Sequence, residues 1–595
     1  MMKRLLLMLL CLALAMPVAL AESALTDGTY AASANGMDGA VSIEVTVKDG
    51  AISAIDIVDD NETAGVGDKA LELIPPQVVA NQSLAVDSVA GATISSAAVK
   101  AAIADAIAQA GGDAAEWRKR EIPVDKADAE YEYDVVVVGA GLAGLTAALT
   151  AEQAGAKVAL LEKLGIVGGT SIFSFGSFLA AGTDAQIPDV VAAWNKRNKL
   201  QEVNQVNMEL VEKLLAVSPT VLKMYEDVGV DFTYDDDTFA ATPVPSEKAN
   251  KNAETIQMAD VKGQSKGGEA LIASLTKRLQ DDGVDLYLNT PATALISDNG
   301  AVTGVICEND KTGTKTFKAK AVILCTGDYA RNNELNAELA PETVGEYTAT
   351  AVGNKGDGLR MAREVGAGLH PYQESLSGNF NADPYDMPVA GQPNNQFPYS
   401  VLLVDRTGER KVSEAIGPHD QQVFFIYEDE PDYAWAIMDQ STADRFLNLD
   451  TYLEKTAGGS TFIQAFSADT VEDLAAQIGV DPATLKGTVD AYNALCEAGE
   501  DTQFGKDAQY LDPITEGKLY AVKEYDMTRG NYGGILTDAD FHVLTEKGEV
   551  IPGLFATGII SSGDYFGDYY PGCEALSLCA HSGYIAGTNA AEMAK

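Results

Sequence analysis

The chain has 595 residues, enough for two to four domains of typical size. Its 42 Lys and Arg stand against 87 Asp and Glu, and the resulting net charge of −45 argues against a nucleic-acid-binding protein. A hydrophobic content of 46% indicates a globular chain, and a total of four histidines excludes a histidine-rich metal centre or a multi-haem domain.

Residues 1–21 have the pattern of a secretory signal peptide. Lys3 and Arg4 form the charged start, and a run of apolar residues follows, which ends in the small residues Ala19 and Ala21. The run is too short to cross a bilayer, which takes about 20 apolar residues. We therefore expect cleavage near Ala21 and an extracytoplasmic mature chain; a retained N-terminal anchor is the alternative.

Residues 22–112 predict a small α+β domain. Val41–Lys48 alternates between apolar and polar residues like a half-buried strand, and Asp49-Gly50 is a type I′ turn signal. Ala51–Val58 then predicts the second strand of a hairpin. From Ser95 the sequence becomes rich in alanine and predicts a helix.

The segment Asp87-Ser-Val-Ala-Gly-Ala-Thr93 lies between these elements. It resembles the D-x-x-x-G-A-T motif of FMN-binding domains, in which a flavin transferase links the threonine hydroxyl to the FMN phosphate. The resemblance implies that Thr93 carries FMN covalently. A helix that begins here would offer unpaired N–H groups to the phosphate. The alternative is that Thr93 or Ser95 is only a helix N-cap.

A dinucleotide fingerprint follows a charged linker at residues 113–131. Tyr133–Val138 predicts a buried parallel strand, and Gly139, Gly141 and Gly144 form a G-x-G-x-x-G turn that opens a helix. After a second strand comes the acidic Glu162, at about the 20-residue distance that the fingerprint requires. Together these features predict a dinucleotide site with the pyrophosphate at the helix N-terminus.

Later motifs indicate that the dinucleotide is FAD. They are Gly168-Gly169-Thr170-Ser171, the strand Ala321–Leu324 running into Cys325-Thr326-Gly327, a helix opening at Gly356-Asp357-Gly358, and Ile551–Gly558 before a final helix. Together they resemble the fumarate reductase/succinate dehydrogenase flavoprotein superfamily in its flavocytochrome c-like branch. With the FMN-binding domain, the chain looks like the secreted respiratory reductases of fumarate, urocanate and related unsaturated acids.

The resemblance implies an α/β fold, in which a Rossmann-like FAD-binding domain contains an inserted α+β clamp domain and follows the small α+β FMN-binding domain. The implied boundaries are signal peptide 1–21, FMN-binding domain 22–112, linker 113–131, FAD-binding domain 132–371 and 530–595, and clamp domain 372–529. The implied FAD contacts are Gly139, Ala140, Gly141, Gly144, Glu162, Lys163, Gly169, Thr170, Ser171, Ser177, Thr326, Gly327, Asp357, Gly558, Ala575 and Leu576.

The substrate end departs from the family pattern. Tyr570 stands where fumarate-reducing members have a substrate-binding arginine, and Arg529-Gly530 replaces a histidine. Arg410 survives in a G-x-R-x-x-x-E segment, but the expected donor arginine is replaced around His419. The candidate catalytic residues are therefore Tyr570, His419 and Arg410, and we interpret His370 as structural. Without paired cations a buried dicarboxylate is costly, so fumarate is expected to be a poor substrate.

These observations predict a reductase of the C=C bond of an unsaturated acid or enone, with non-covalent FAD and with FMN covalent at Thr93. The expected partners are a small unsaturated substrate, a flavin transferase and a membrane-associated electron donor. No metal site and no nucleic-acid partner are expected. Two alternatives remain open: an FAD-dependent ketone or ketosteroid dehydrogenase, suggested by Tyr570-Pro-Gly, and a flavin electron carrier without substrate turnover.

Overall fold

The structure is a computed structural model of the chain. It describes residues 24–36, 40–60, 62, 67–89, 92–120, 122, 126–174, 176–197, 206–235, 239–244, 267–309, 312–344, 347–348, 350–377, 400–411, 413–414, 433–445, 449–457, 464–525, 527–566 and 574–595. The expected signal peptide, Tyr570 and His419 lie outside these residues. Within the described part of the chain, no helix combines the length and apolarity needed to cross a membrane.

The strands are β1 Gly28–Asn35, β2 Ala40–Lys48, β3 Ala51–Asp59, β4 Ala129–Val138, β5 Val158–Leu161, β6 Phe178–Leu179, β7 Asp231–Asp235, β8 Ala240–Val244, β9 Asp285–Tyr287, β10 Ala292–Asp298, β11 Ala301–Asn309, β12 Gly313–Leu324, β13 Tyr347–Thr348, β14 Glu374–Ser377, β15 Leu402–Val404, β16 Tyr433–Asp439, β17 Ala465–Ala468, β18 Leu519–Tyr525, β19 Met527–Tyr532, β20 His542–Leu544 and β21 Val550–Ala556. The α-helices are α1 Gly67–Asn81, α2 Thr93–Gln109, α3 Ala114–Trp117, α4 Leu142–Gln153, α5 Ile187–Arg197, α6 Met208–Ala216, α7 Ser218–Asp227, α8 Gly267–Asp281, α9 Asn333–Leu339, α10 Asp357–Glu364, α11 Gln440–Ala443, α12 Leu449–Ala457, α13 Val471–Ile478, α14 Pro482–Ala498, α15 Gly563–Phe566 and α16 Glu574–Ala594. Short 3₁₀ helices lie at Gly169–Phe173, Asp184–Gln186, Pro341–Thr343, Ala508–Tyr510 and Ile559–Ser561.

The described residues up to 122 form one compact unit, and those from 126 onwards form a second. In the first unit β1, β2 and β3 form an antiparallel sheet. Asp49 and Gly50 both have positive φ, 54° and 76°, as a type I′ turn requires. The expected hairpin is therefore confirmed. The alternating side chains of β2 are buried, and α2 packs against this sheet.

Two features of the first unit were not expected from the sequence. Helix α1 contains Pro75 and Pro76, and its buried side chains include Ile74 and Val78. Helix α3 lies inside the predicted linker, and its Trp117 is buried at 3% exposure. The Trp117 carbonyl accepts a hydrogen bond from the backbone of Leu84. The first unit therefore includes residues beyond 112.

The second unit is built on a mixed sheet whose path runs β10-β11-β12-β4-β5-β9, with β21 paired to β12 and β20 to β21. Strands β12, β4, β5 and β9 are parallel neighbours, and β21 is parallel to β12. Helix α4 connects β4 to β5, and α16 packs on α4. This is the expected Rossmann-like arrangement, in which ligands bind beyond the carboxyl ends of the parallel strands.

A separate antiparallel sheet, β15-β16-β18-β17, follows in the chain. Apolar side chains cover both of its faces: one face packs with α13 and α14, and the other with α11 and α12. This α+β layer corresponds to the expected inserted clamp. Strand β18 leads towards β19, which forms a third sheet with β13 and β14.

Candidate functional site

The turn between β4 and α4 brings backbone into direct contact with backbone. Gly139 has a φ of +104°, and a Cβ there would lie 2.4 Å from the carbonyl oxygen of Cys325 at the end of β12. A Cβ on Gly144 would lie 1.8 Å from the carbonyl oxygen of Gly139. No side chain fits at either position, so the N-terminus of α4 is held directly over the ends of β4 and β12.

A second glycine loop closes against this turn. The backbone N–H of Gly168 donates to the carbonyl of Ala140 at 2.8 Å, and Gly141 forms a parallel bridge with Gly168. In the 3₁₀ helix that follows, Thr170 Oγ1 accepts hydrogen bonds from Ala351 N at 3.0 Å and Asn354 Nδ2 at 3.2 Å. Residues far apart in the chain thus converge at the carboxyl edge of the sheet.

Glu162, at the end of β5, turns its carboxylate towards the same turn. Its oxygens accept hydrogen bonds from Ala140 N at 2.9 Å and Leu164 N at 2.8 Å. Burial raises the pKa of Glu162 although these hydrogen bonds oppose the shift. The carboxylate lies at the turn where the fingerprint expects an acceptor for ribose hydroxyls.

Two of the predicted FAD contacts form an ion pair. Lys163 Nζ lies 2.5 Å from Asp357 Oδ2, and Arg360 lies 2.7 Å from the other oxygen of Asp357. Burial alone would raise the pKa of Asp357, but the two cations lower it overall. The pair ties the loop after β5 to the N-terminus of α10.

The remaining predicted contacts lie around the ends of β12 and β21. Thr326 Oγ1 is buried and has no hydrogen-bond partner among the described residues. The backbone of Gly558 donates to Ser582 Oγ at 3.1 Å, which ties the end of β21 to α16, whose first turn holds Ala575 and Leu576. Ser177 instead bonds Thr242 of β8, at 2.8 Å between the two hydroxyl oxygens.

This arrangement fits a dinucleotide such as FAD. Two glycine loops leave no Cβ where a pyrophosphate would approach, a helix N-terminus offers N–H groups, and Glu162 provides an acceptor. The orphaned hydroxyl of Thr326 is a polar atom for which a bound cofactor could supply the partner.

Arg410 occupies a buried ion cluster rather than an open position. Its guanidinium donates to both oxygens of Glu414, at 2.9 and 2.8 Å, and to Asp501 Oδ2 at 2.7 Å. Lys506 Nζ lies 3.2 Å from Glu414, and the four side chains are at most 3% exposed. Burial alone would raise the pKa of Asp501, but Arg410 and the backbone N–H groups of Lys506 and Phe504 lower it to about 2. Arg410 is thus paired with two carboxylates within the clamp, and its catalytic role stays a prediction.

His370 is buried and held on both ring nitrogens. Tyr372 N donates to Nδ1 at 3.3 Å, and Nε2 lies 3.3 Å from Asp564 Oδ1. The ring lies directly over Gly563, where a Cβ would come 2.2 Å from its Cγ. These contacts agree with the structural interpretation of His370. Tyr570 and His419 lie outside the described residues.

Asp328 and Asn354 were not predicted from the sequence. Asp328 follows the predicted contacts Thr326 and Gly327 and is buried, and its Oδ2 accepts a hydrogen bond of 2.6 Å from Asn354 Nδ2. The sequence feature that could have identified Asp328 is its position directly after Thr326-Gly327. Its significance depends on Asn354, whose position the sequence alone does not reveal.

In the first unit Thr93 is the first residue of α2, and its side chain is exposed. The neighbouring hydroxyls are occupied and buried: Ser95 donates to Glu62, and Ser96 Oγ accepts from Val89 N at 3.0 Å. Ala92, which precedes the helix, makes no side-chain cap. Of these three hydroxyls, that of Thr93 is the accessible one at the helix N-terminus.

Comparison with known proteins identifies the family. The family model of the FAD binding domain matches residues 134–575, and that of the FMN-binding domain matches residues 36–108. A urocanate reductase of Eggerthella lenta is 31% identical over 95% of this chain and 92% of its own. The chain therefore belongs to the flavoprotein family that joins an FMN-binding domain to a flavocytochrome c-like FAD domain.

Solved structures agree with this assignment. The open conformation of a flavocytochrome c3 fumarate reductase matches with a TM-score of 0.63 and 26% identity, over 78% of this chain and 79% of that one. A 3-ketosteroid-Δ4-(5α)-dehydrogenase from Rhodococcus jostii shares the fold, with a TM-score of 0.57 and 24% identity over 78% of this chain and 97% of that one. The expected fold class, the assignment as an FAD-dependent oxidoreductase, and the cofactors FAD and FMN are confirmed.

Replacing Gly144 with Ala should abolish FAD binding. The added methyl would lie 1.8 Å from the carbonyl oxygen of Gly139, which the turn cannot accommodate without moving. The measurement is the flavin content of purified protein, released by denaturation and separated into FAD and FMN. The control is Gly487→Ala, also in a helix, with no atom within 4 Å of its Cβ. This control should keep FAD and gain up to about 1 kcal/mol of stability. A Gly144→Ala protein replete with FAD would contradict the turn geometry.

Replacing Arg410 with Ala should destabilise the protein by about 3–5 kcal/mol, because Glu414 and Asp501 would remain buried without their main cation. Denaturant unfolding followed by tryptophan fluorescence measures this, since Trp435 lies in the clamp sheet. The control Lys486→Ala removes an exposed ion pair with Asp490 and should leave the unfolding midpoint unchanged. Equal midpoints for both variants would show that the cluster does not stabilise the clamp.

Proposed function

We propose that this chain is an exported reductase of the C=C bond of an α,β-unsaturated carboxylate or enone. Electrons from an external donor pass through FMN on Thr93 to non-covalent FAD. The observation that carries this proposal is the match to a urocanate reductase across 95% of the chain, through both flavin domains in the same order. The proposed clamp spans residues 372–529, and its closure would exclude water from the reacting centre.

Thr93 is the proposed attachment point because its hydroxyl is exposed at the start of α2, where the helix N-terminus favours a phosphate. Attachment requires a flavin transferase. A flavin linked in this way is a fixed relay, so we propose a membrane-associated donor as the source of electrons. The segment 1–21, read as a signal peptide, would place the protein outside the cytoplasmic membrane, where such a donor can reach it.

We propose that the substrate-binding part of the active site accepts a neutral carbonyl better than a second carboxylate. Arg410 is already paired with Glu414 and Asp501, so it does not offer a free cation. Tyr570 stands at the position of the family's arginine, and a phenol polarises a carbonyl without bringing charge. His419 is the proposed proton donor, since the imidazole pKa suits that role near neutral pH. FAD, when bound, supplies the hydride chemistry.

A second candidate is an FAD-dependent dehydrogenase of a ketone, and the feature that favours it is the segment Tyr570-Pro571-Gly572. The same phenol could hold the ketone oxygen in either direction of the reaction. Anaerobic reoxidation of the reduced enzyme by an enoate supports reduction, whereas reduction of the oxidised enzyme by a saturated ketone supports dehydrogenation. An electron carrier without a substrate site would do neither.

Thr93→Ala should abolish the covalent FMN adduct and leave FAD bound, because the two sites lie in separate units. The measurement is intact-protein and peptide mass after coexpression with a flavin transferase. Ser88→Ala is the matched control: it removes another exposed hydroxyl of the same segment and should keep the adduct. An adduct that persists in Thr93→Ala would remove the relay from the proposal.

Tyr570→Phe should lower turnover of the best substrate by about 10²-fold, the typical loss when one donor to a developing oxyanion is removed. The assay is anaerobic oxidation of reduced viologen by urocanate, hydroxycinnamates, a cyclic enone and fumarate. The wild type should reduce fumarate most slowly, because its second carboxylate lacks a paired cation. Tyr584→Phe, which alters an α16 side chain, is the control and should keep full activity. Fumarate turnover as fast as any other would refute the proposed substrate end.

A further inference from the structure

Asp328 is a buried carboxyl connected to the FAD-binding loop by a short hydrogen-bonded bridge. It lies directly after Thr326-Gly327 and is 5% exposed. Its Oδ1 accepts from Ala330 N at 2.9 Å, and its Oδ2 accepts from Asn354 Nδ2 at 2.6 Å. Asn354 Nδ2 also lies 3.2 Å from Thr170 Oγ1. An amide nitrogen carries two hydrogens, so one group bridges the carboxyl and the loop.

The bridge leaves Asp328 little freedom to move away from this loop. A Cβ on Gly530 would lie 2.7 Å from Asp328 Oδ2, so the carboxyl abuts the backbone of β19. A Cβ on Gly327 would lie 3.1 Å from Asn354 Nδ2, so the amide is also tightly confined. The carboxyl therefore stays beside a group that is expected to contact FAD.

Few charged residues lie on the segments next to Asp328. Segments 350–354 and 169–173 contain no charged residue. Arg331 lowers the pKa of Asp328, but its guanidinium donates to the carbonyls of Thr348 and Thr350. On β19, Arg529 is the charged residue next to Gly530. Burial is the largest influence and raises the pKa of Asp328 to about 6.

We propose that Asp328 is a redox-linked proton site, which binds a proton when FAD in the adjacent site is reduced. The uptake balances as two electrons and one proton to FAD, and one further proton to the Asp328 carboxylate, which becomes a carboxylic acid. The electrons come from the external donor. Asp328 is linked to the FAD-binding loop through Asn354 and Thr170, and the proposal depends on bound FAD but not on the identity of the substrate.

The physical reason is the cost of negative charge in a buried site. Reduction adds negative charge near the carboxylate, and a like charge raises the pKa of a neighbouring acid. A carboxyl that is half-protonated near pH 6 responds strongly to such a change. Its protonation removes one of the two negative charges and so makes the reduced state easier to reach.

The experiment measures protons taken up per two electrons by the holoenzyme with both flavins. The midpoint potential of FAD is measured between pH 5 and pH 8 in the wild type and in Asp328→Asn. The slope of this potential against pH gives the number of protons taken up. At a pH just above the pKa that Asp328 has when FAD is oxidised, the wild type should take up more protons than Asp328→Asn. The difference should reach up to one proton. The difference should vanish at both ends of the range, where Asp328 has the same charge in both redox states. Identical slopes in two FAD-replete proteins would overturn the proposal.

Two controls separate this effect from a general disturbance. The FMN titration is internal to each sample and should be the same in both proteins, because Thr93 and Asp328 lie in separate units. Asp439→Asn alters an equally buried aspartate, in the clamp sheet, and should keep the wild-type slope for FAD. A loss of slope in Asp439→Asn as well would assign the effect to structure rather than to Asp328.

A second measurement uses the wild type alone, in case Asp328→Asn does not fold or does not retain FAD. The reduced-minus-oxidised infrared difference spectrum near pH 6.5 should show a protonated carboxyl band that appears on reduction. Its intensity should fall at high pH, where Asp328 is ionised in both states. A spectrum without such a band across pH 5–8 would overturn the proposal.

Discussion

The contact of backbone with backbone at Gly139 and Gly144 is the constraint on which the site depends. A side chain at either position would collide with a carbonyl oxygen, so the helix N-terminus can approach the ends of β4 and β12 only if both are glycine. A second side of α4 is fixed in the same way. A Cβ on Gly583 or Gly587 of α16 would lie 2.6 or 2.4 Å from a carbonyl oxygen of α4. One helix is thus positioned by glycine contacts on two sides, which holds the fingerprint turn and the start of α16 at one edge of the sheet.

Two groups of cations in this acidic chain join segments that lie far apart in the sequence. Lys163 and Arg360 share the carboxylate of Asp357, which joins two segments of the FAD cradle. Arg410 neutralises two buried carboxylates that would otherwise carry a heavy desolvation cost. These ion pairs hold segments of the fold that lie far apart in the chain. The G-x-R-x-x-x-E segment that contains Arg410 is thus part of the framework of the clamp.

Local signals allowed the sequence to predict the turn, the parallel strand before it, and the hairpin at Asp49-Gly50, since each depends on adjacent residues. Helix α1 was missed because Pro75-Pro76 normally ends a helix, and it persists because Ile74 and Val78 are buried by the rest of the unit. The ion pairing of Arg410 was missed for a different reason. Its partner Asp501 is 91 residues away, so the pairing becomes visible only in the fold. Asp328 was overlooked likewise, because its role depends on Asn354 and Thr170.

FAD, when bound, brings its phosphates to this site, and its reduction adds further negative charge. Cations could balance that charge, but they also bind competing anions, and those described at the site are already paired. A carboxyl such as Asp328 offers a different solution, because it can lose its own charge by binding a proton when another arrives. A phenol at position 570 would follow the same logic at the substrate end, polarising a carbonyl without adding charge. Under the proposed function, selectivity for singly charged or neutral acceptors would then come from these electrostatics rather than from the shape of a pocket.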